Sequence, residues 1–545
     1  MEQGNVQQDK SSWTLVDLVR RQARAYGDRE FMSFEDGARL TFASFDADSD
    51  NLGRALAGLG VDKGDRVLAL VRNRVEFMLA MLATQKIGAI FVPINTELKG
   101  AFLEHQLRNA EPRVALVDAD LIDAFDGVDP GGVRLDACVV VAGAVPETLP
   151  TALSSGRAMD FAELRDAAPA GPEVLVDPHY QDIGCIMYTS GTTGPSKGVL
   201  MPHAHLYLFG VGTVQALRLT EDDRYYVCMP LFHANALLMQ VVGSLIAGTH
   251  VHCVIRFSPN RWLDEVIETG ATVTNALGVM PEFIFRTPAS PRDRDHTLRL
   301  MMAAPIGKEW GDEFEARFGL KLVQGFGMTE CNIPVYTPVE DPTVPGCAGK
   351  ILTDYFDLRI ADPETDEPLG TDEIGEIVIR PKEPGCFMAG YFRMPEKTVE
   401  AWRNLWFHTG DAGRIDAEGN LHYIDRIKDC IRRRGENISA FEVEQVLNGH
   451  PDVAESAVIG VKVEGAGGEE EVMALIVPRA EIDPVALLDY CAERMPRYAV
   501  PRFVLNIAEL EKTATGKIRK QDLRDAGVTA ETWDREAAGY VLARR

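Results

Sequence analysis

The sequence predicts an α/β protein: a large N-terminal domain of mixed and parallel sheets packed with helices, then a small α+β C-terminal domain. Three observations carry that expectation. Short apolar, strand-like runs alternate with helix-period segments across the first half, as the crossovers of parallel sheets require. The length of 545 residues allows several folding units and a large buried core. A charged stretch over 425–434 sets off a tail of about 110 residues, the size of a small domain.

The elements follow in order. Trp13, Val16, Val19, Ala23 and Tyr26 fall at helical spacing over 12–26, and Gly27 supplies a stop. Val67–Val71 reads as a buried strand, Val75–Ile87 as a helix, and Ile90–Ile94, Val114–Val117 and Val139–Val141 as further strands. Residues 143–180, rich in Ala, Pro, Gly and Asp, read as a surface connection before the apolar run Ile183–Tyr188. Lys321–Val323 and Leu421–Ile424 are strand-like, and 309–318 is helix-like. Asp425–Arg434 reads as a charged, loop-like stretch. Beyond it Ala457–Val461, Val472–Val477 and Phe503–Ile507 read as strands and Pro484–Met495 as a helix.

Apolar residues make up 46% and charged residues 25%, a globular balance and not that of a disordered or fibrous chain. Lys and Arg number 56 against 82 Asp and Glu, a net charge of −26 that argues against nucleic acid as a partner but not against a small anion held in one basic loop. The first residues lack a basic segment followed by an apolar run, and no stretch reaches the ~18 apolar residues of a membrane helix. The nine cysteines are scattered and never spaced C-x-x-C, the usage of reduced, buried thiols; a cytoplasmic protein without structural zinc is expected. Nothing in the sequence fixes an oligomeric state, so a homo-oligomer remains open.

The strongest local signal is Tyr188-Thr-Ser-Gly-Thr-Thr-Gly-Pro-Ser-Lys-Gly-Val199. Gly191, Gly194 and Gly198 permit close backbone approach, while Thr189, Ser190, Thr192, Thr193 and Ser196 supply hydroxyls and Lys197 a cation. Backbone N–H groups in such a turn form an anion-binding concavity, and the preceding apolar strand would hold it at the end of a sheet. Ser196 and Gly198 flank Lys197, so this is not a Walker A loop, which needs Gly before the Lys and Ser or Thr after it. A flexible linker of similar composition would not embed a lone Lys between hydroxyls and apolar flanks. Phosphate binding is the better reading.

This loop resembles the signature of the adenylate-forming (acyl-CoA synthetase, AMP-binding) superfamily, and further motifs occur in that family's order. Gln324-Gly-Phe-Gly-Met-Thr-Glu330, His408-Thr-Gly-Asp411, Asp425-Arg426-Ile-Lys428-Asp and Lys512-Thr-Ala-Thr-Gly-Lys517 resemble its other elements from about residue 40 to about 520. Arg434-Gly-Glu-Asn-Ile-Ser439 is similar to the crotonobetaine/carnitine–CoA ligase branch. The resemblance implies an acid–CoA ligase that uses ATP, Mg²⁺ and coenzyme A on a small carboxylic acid. The alternative is a stand-alone adenylation enzyme that loads a carrier protein.

It also implies roles. Lys517, Thr193 and Lys197 would serve the reacting phosphates, with His233 a gate beside the acid. Thr189, Ser190, Gly191, Thr192 and Gly194 would cradle phosphate. Ala303, Ala304 and Pro305 with Gly325, Phe326, Gly327 and Met328 would wall the adenine side, the Thr329 hydroxyl would bond a phosphate oxygen, and Glu330 would hold the metal. Asp411 would take the ribose, aided by Arg426. Lys428 would be a mobile hinge between domains 1–426 and 427–545, and Arg432 and Asn437 would help adenylation or thiol transfer. Alone, Phe326 and Glu330 would read as a core aromatic and a solvated acid, and His233 as a core histidine. The pairs His203/His205 and His250/His252 lack a third ligand and read as structural.

Overall fold

The computed structural model describes residues 9–542 except 168–174, 190–194, 279, 305, 307–309, 345, 427–429, 434–435, 464–469, 481, 512–517 and 519. Among the described residues the chain builds three large sheets and, in its C-terminal part, a two-stranded hairpin and a four-stranded sheet. The first, seven-stranded, runs Lys321–Val323, Leu300–Ala304, Val273–Leu277, Arg224–Val227, His250–Cys253, Glu30–Phe34 and Arg39–Thr41 in spatial order. All its pairs are parallel except the terminal hairpin.

The second sheet, eight-stranded, runs Gly390–Tyr391, Lys197–Pro202, Ile183–Thr189, Ile90–Pro93, Arg66–Leu70, Val114–Asp118, Ala137–Val141 and Arg157–Asp160. Its central strands read as unbroken Val, Leu and Ala because helices cover both faces. Helix Val75–Lys86 is accordingly buried from Phe77 to its end. The Lys86 ammonium is buried yet satisfied, at 2.5 Å from both Asp46 Oδ1 and Asp50 Oδ1. Helix Phe42–Gly58, which carries those acids, starts on a capping box between Thr41 and Ser44.

The third sheet is antiparallel and includes Gly325–Met328, Asn332–Tyr336, Cys347–Ile351, Asn420–Arg426, Trp406–Ile415, Gly375–Pro381 and Phe356–Ala361. The C-terminal segment opens with the hairpin Cys430–Arg433 and Glu436–Ser439. It then packs helices Ala440–Asn448, Pro484–Arg494 and Lys520–Ala526 with the sheet of Val453–Lys462, Glu470–Pro478, Phe503–Asn506 and Trp533–Asp534.

The α/β class and the small α+β C-terminal unit are therefore observed. Two local expectations are corrected. The connection at 143–180 contains strand Arg157–Asp160 and helix Phe161–Asp166, capped by the Asp160 carboxylate on the Glu163 N–H. The described residues of the 425–434 stretch are strand, since Asn420–Arg426 runs into it and Cys430–Arg433 pairs with Glu436–Ser439. The eight described cysteines are buried and unbridged. No helix among the described residues is long and apolar enough to cross a membrane.

Candidate functional site

The Gly/Ser/Thr loop hangs from two paired strands, with Thr189 opposite Lys197 in antiparallel register. Ser190, Gly191, Thr192, Thr193 and Gly194 lie outside the described residues. Their stems do not, and both are tied to helix Gly100–Ala110. The Tyr188 hydroxyl donates to Asn109 Oδ1 at 2.7 Å, and Gln106 Nε2 donates to Ser196 Oγ at 3.2 Å. His105 Nε2 sits 2.8 Å from the Ser196 carbonyl, an acceptor, so this nitrogen carries the proton. Burial raises the Tyr188 phenol well above its ordinary range, against the opposing charges of Arg393 and Arg66, so it remains a donor.

Glu330 is the point where the loop meets the rest of the chain. It lies in the turn of the hairpin in which Gly325–Met328 pairs with Asn332–Tyr336, and its residue is only 3% exposed. Thr189 Oγ1 donates to its Oε1 at 3.2 Å and the Tyr391 hydroxyl to the same oxygen at 3.0 Å. Tyr391 lies on a short strand paired with the outer stem of the loop, opposite Val199. The Lys197 ammonium stands 4.1 Å from the centre of the Tyr391 ring, a cation–π contact. Thus the loop's first hydroxyl, its lysine and the distant acid form one contiguous group.

His205 supports this group from below. Its Nε2 is 2.8 Å from the Thr329 carbonyl, and the Asn332 amide reaches its Nδ1 at 3.4 Å. Burial lowers its pKa to about 4, opposed by the Thr329 and Cys386 carbonyls, so the ring is neutral with the proton on Nε2. The structural reading of His205 holds, with the added detail that it buttresses the turn carrying Glu330. His250 is likewise buried and bonded to Glu30 at 2.9 Å.

Asp411 belongs to the same region. Besides burial, the buried Cys331 thiol is pushed up by the Glu330 carboxylate and, more weakly, by that of Asp411, so both acids act on one sulfur. Asp411 is 3% exposed and stands in register with Arg426 on the neighbouring strand. The side chains of Arg426, Arg432 and Asn437 lie outside the described set, as do Lys428, Pro305 and Lys517 altogether. Arg432 and Asn437 are nonetheless backbone partners across the Cys430–Arg433 hairpin.

Ala303 and Ala304 end strand Leu300–Ala304, and Gly325 follows the end of Lys321–Val323. These are carboxyl ends of adjacent parallel strands, the position at which open α/β sheets bind ligands. Phe326 is buried and lies 6.1 Å from Tyr423, ring centre to ring centre. Gly327 marks a tight strand crossing, where an added Cβ would lie 2.2 Å from the Asn332 carbonyl oxygen. The Met328 side is half-buried.

His233 is not a core histidine. Its side chain is 39% exposed, and Nε2 faces Glu436 Oε1 of the C-terminal hairpin at 3.5 Å. It is followed by a π-helical turn, Asn235–Val242, of the kind that recurs at functional sites. Within it Asn235 Oδ1 accepts from Gln240 Nε2 at 2.8 Å and from Asn275 Nδ2 at 3.0 Å, an amide network beside the carboxyl end of Val273–Leu277.

Sequence reasoning missed Tyr391, the Gly100–Ala110 clamp and the Asn235 network. Tyr391 sits on a two-residue strand with no periodicity to betray it. The hydrophobic pattern of the clamp helix announces its buried face but not the partners of its polar one.

No three His, Cys, Asp or Glu among the described residues are grouped to hold a metal. A single carboxylate suits Mg²⁺, which keeps several waters and binds through one or two carboxylates plus substrate phosphates. Both described donors to Glu330 converge on Oε1, which leaves Oε2 for such a cation.

Residues 19–392 match the family described as AMP-binding enzyme, and 442–517 match the AMP-binding enzyme C-terminal domain. Crotonobetaine/carnitine–CoA ligase of Salmonella typhimurium is 29% identical over 518 residues, covering 92% of this chain and 97% of its own. The chain is similar in structure to o-succinylbenzoate CoA synthetase from Bacillus subtilis bound with a product analogue. The TM-score is 0.78 at 27% identity, over 94% of this chain and 98% of that one. ATP-bound MatB from Rhodopseudomonas palustris matches with a TM-score of 0.65 at 28% identity, over the same 94% and 98%.

Proposed function

Because the chain belongs to the AMP-binding enzyme family, we propose that it is an ATP-dependent carboxylic acid–CoA ligase that works through an acyl-adenylate. The observation that carries this reading is the meeting of Thr189, Lys197 and Tyr391 around Glu330, which joins the phosphate-type loop to a buried acid from a different sheet. The CoA ligases among its relatives support the choice of thiol acceptor.

In the first half-reaction a carboxylate oxygen of the acid attacks the α-phosphorus of ATP. The bond to the bridging oxygen breaks, and pyrophosphate leaves with its electron pair. Two anions approach one another, so cations fixed in advance lower the barrier as charge develops. Lys197 and Lys517 supply them, Thr193 and the loop amides hold phosphate oxygens, and Asp411 with Arg426 fixes the ribose. Mg²⁺ held at Glu330 would neutralise phosphate charge. Phe326 and the backbone at Ala303–Ala304 bound the adenine.

In the second half-reaction the thiol of coenzyme A loses its proton, its sulfur attacks the acyl carbon, and AMP leaves. We assign residues 1–426 and 427–545 to the two domains, with Lys428 as a hinge. Turning the small domain exchanges Lys517 for the hairpin of Arg432 and Asn437, which approaches His233.

The test is pyrophosphate release and thioester formation with acids of graded size, supplied with coenzyme A, with a purified carrier protein, or with neither. Acid-dependent pyrophosphate release and a CoA thioester are expected. Thioester on the carrier alone would replace coenzyme A in the reading, and no pyrophosphate with any acid would overturn it.

A further inference from the structure

Asp411 stands on an irregular strand, and what holds it there is an acid from the neighbouring strand. Along Gly375–Pro381 and Trp406–Ile415 the antiparallel register places Val378 opposite His408 and Glu376 opposite Ala412. Thr409, Gly410 and Asp411 therefore stand against Ile377 alone, so the ladder bulges outward at the motif. A bulge strands backbone N–H groups that must find other acceptors. The Gly410 N–H donates to Glu376 Oε1 at 3.0 Å, and the Asp411 N–H donates to Thr409 Oγ1 at 3.1 Å. The Thr409 hydroxyl in turn donates to the Ile377 carbonyl at 2.7 Å. Gly410 has φ +73°, which a side chain would resist.

The second oxygen of Glu376 is fixed as well. His408 Nδ1 lies 2.8 Å from Oε2, and Arg403 Nη2 lies 3.4 Å from it. Asp366 completes the set, 3.1 Å from Arg403. Glu376 is 6% exposed. A carboxylate this buried, with both oxygens engaged and one of them on the peptide before Asp411, has the chemistry of a brace and not of a solvated strand acid.

We propose that Glu376 is a positioning residue: through the Gly410 N–H it sets the bulge that aims the Asp411 carboxylate at its ligand. The inference rests on the ribose role given to Asp411 above. A ribose diol meets two carboxylate oxygens only if the carboxylate is correctly turned, so loss of the brace removes recognition of the 2′-hydroxyl while the cationic phosphate contacts remain.

The experiment measures kcat/KM for acid-dependent ATP–pyrophosphate exchange with ATP and with 2′-deoxy-ATP, in the full-length protein. Asp411→Ala is expected to reduce the wild-type preference for ATP by on the order of tenfold, the worth of a charged hydrogen bond. Glu376→Ala is expected to reduce it to the Asp411→Ala level, and the double variant to lose no more. Glu376→Gln, which keeps an acceptor for the Gly410 N–H, is expected to recover most of the preference. Should Glu376→Ala misfold, Glu376→Gln set against Thr409→Val gives the same comparison: the first retains the preference and the second, which removes the acceptor for the Asp411 N–H, loses it. A Glu376→Ala protein that is slower with both nucleotides but keeps the wild-type preference would overturn the positioning role and leave the ribose role standing. An unchanged preference in Asp411→Ala would overturn the ribose role, and the inference with it.

Discussion

Replacing Gly327 with Ala puts the geometry of the Glu330 hairpin to a direct test. The new Cβ would lie 2.2 Å from the Asn332 carbonyl oxygen and 3.0 Å from the Ile333 Cα, both backbone atoms of the paired strand. Carbon–oxygen contacts in paired strands settle near about 3.3 Å, so the strands must part by about 1 Å. Side-chain rotation cannot relieve a backbone clash, and overpacking of this kind costs about 1–3 kcal/mol. Glu330 lies three residues along the same turn, and a displacement of about 1 Å in a positioned group lowers rates about a hundredfold. Gly325→Ala is the internal control, because its Cβ would lie 3.0 Å from the Val335 oxygen and needs only a few tenths of an ångström. The assay is ATP–pyrophosphate exchange beside thermal unfolding. Gly327→Ala should lose about a hundredfold in kcat/KM and unfold at a lower temperature, while Gly325→Ala should lose less than about tenfold. Equal effects of the two substitutions on both measurements would refute the argument.

Other expectations are as direct. Tyr391→Phe keeps the ring beneath Lys197 but removes one of the two described donors to Glu330, so exchange activity should fall by the equivalent of about 1.5–3 kcal/mol; an unchanged kcat/KM would remove the hydroxyl from the site. Gln106→Leu removes the amide that donates to the Ser196 hydroxyl beside the outer stem of the loop, and titration of exchange against ATP should show a raised KM with little change in unfolding temperature. Lys517→Ala should abolish acyl-adenylate formation yet spare thioester formation from supplied acyl-adenylate, and equal loss of both would withdraw its role. The pH dependence follows from His203, His205 and His250, each lowered to about 4 chiefly by burial. Between pH 4 and 6.5 the unfolded chain binds more protons than the folded one, so stability rises with pH across that window and is lost on acidification, by up to about 3 kcal/mol per histidine. His205→Gln should narrow the difference between urea midpoints at pH 4.5 and 7; an unaltered difference would show that this ring is not buried neutral.

The parts of the fold that were legible in the sequence are those where burial writes a pattern. Ile183–Thr189 is apolar because both its faces are covered, and the run of Gly, hydroxyls and Lys after it is too unusual to be a plain strand end. Strand Arg157–Asp160 escaped because only Met159 faces inward at an exposed sheet edge. The hairpin after Arg426 escaped because each strand buries one isoleucine, Ile431 or Ile438, among charges. One of those charges, Arg433, is itself buried and pairs with Glu471 at 2.7 Å, a contact that no local rule announces. In the site, motif residues could be named, but Tyr391 and Glu376 could not. Their importance comes from a pairing and a bulge, which are properties of two distant segments at once.

The strand Gly390–Tyr391 is the outermost of its sheet and closes on Lys197–Pro202, translated long before it. A ribosome adding about 5–20 residues per second needs about 10–40 s to travel from one to the other. During that interval the nascent chain carries Lys197 without the ring that seats it, and Glu330 emerges before the Tyr391 hydroxyl that donates to it. Assembly of the Glu330 cluster is thus a late event of biosynthesis, and a chain truncated before residue 390 would carry the seven-stranded sheet whole but lack the edge strand of the second sheet, two central strands of the third and the C-terminal sheet.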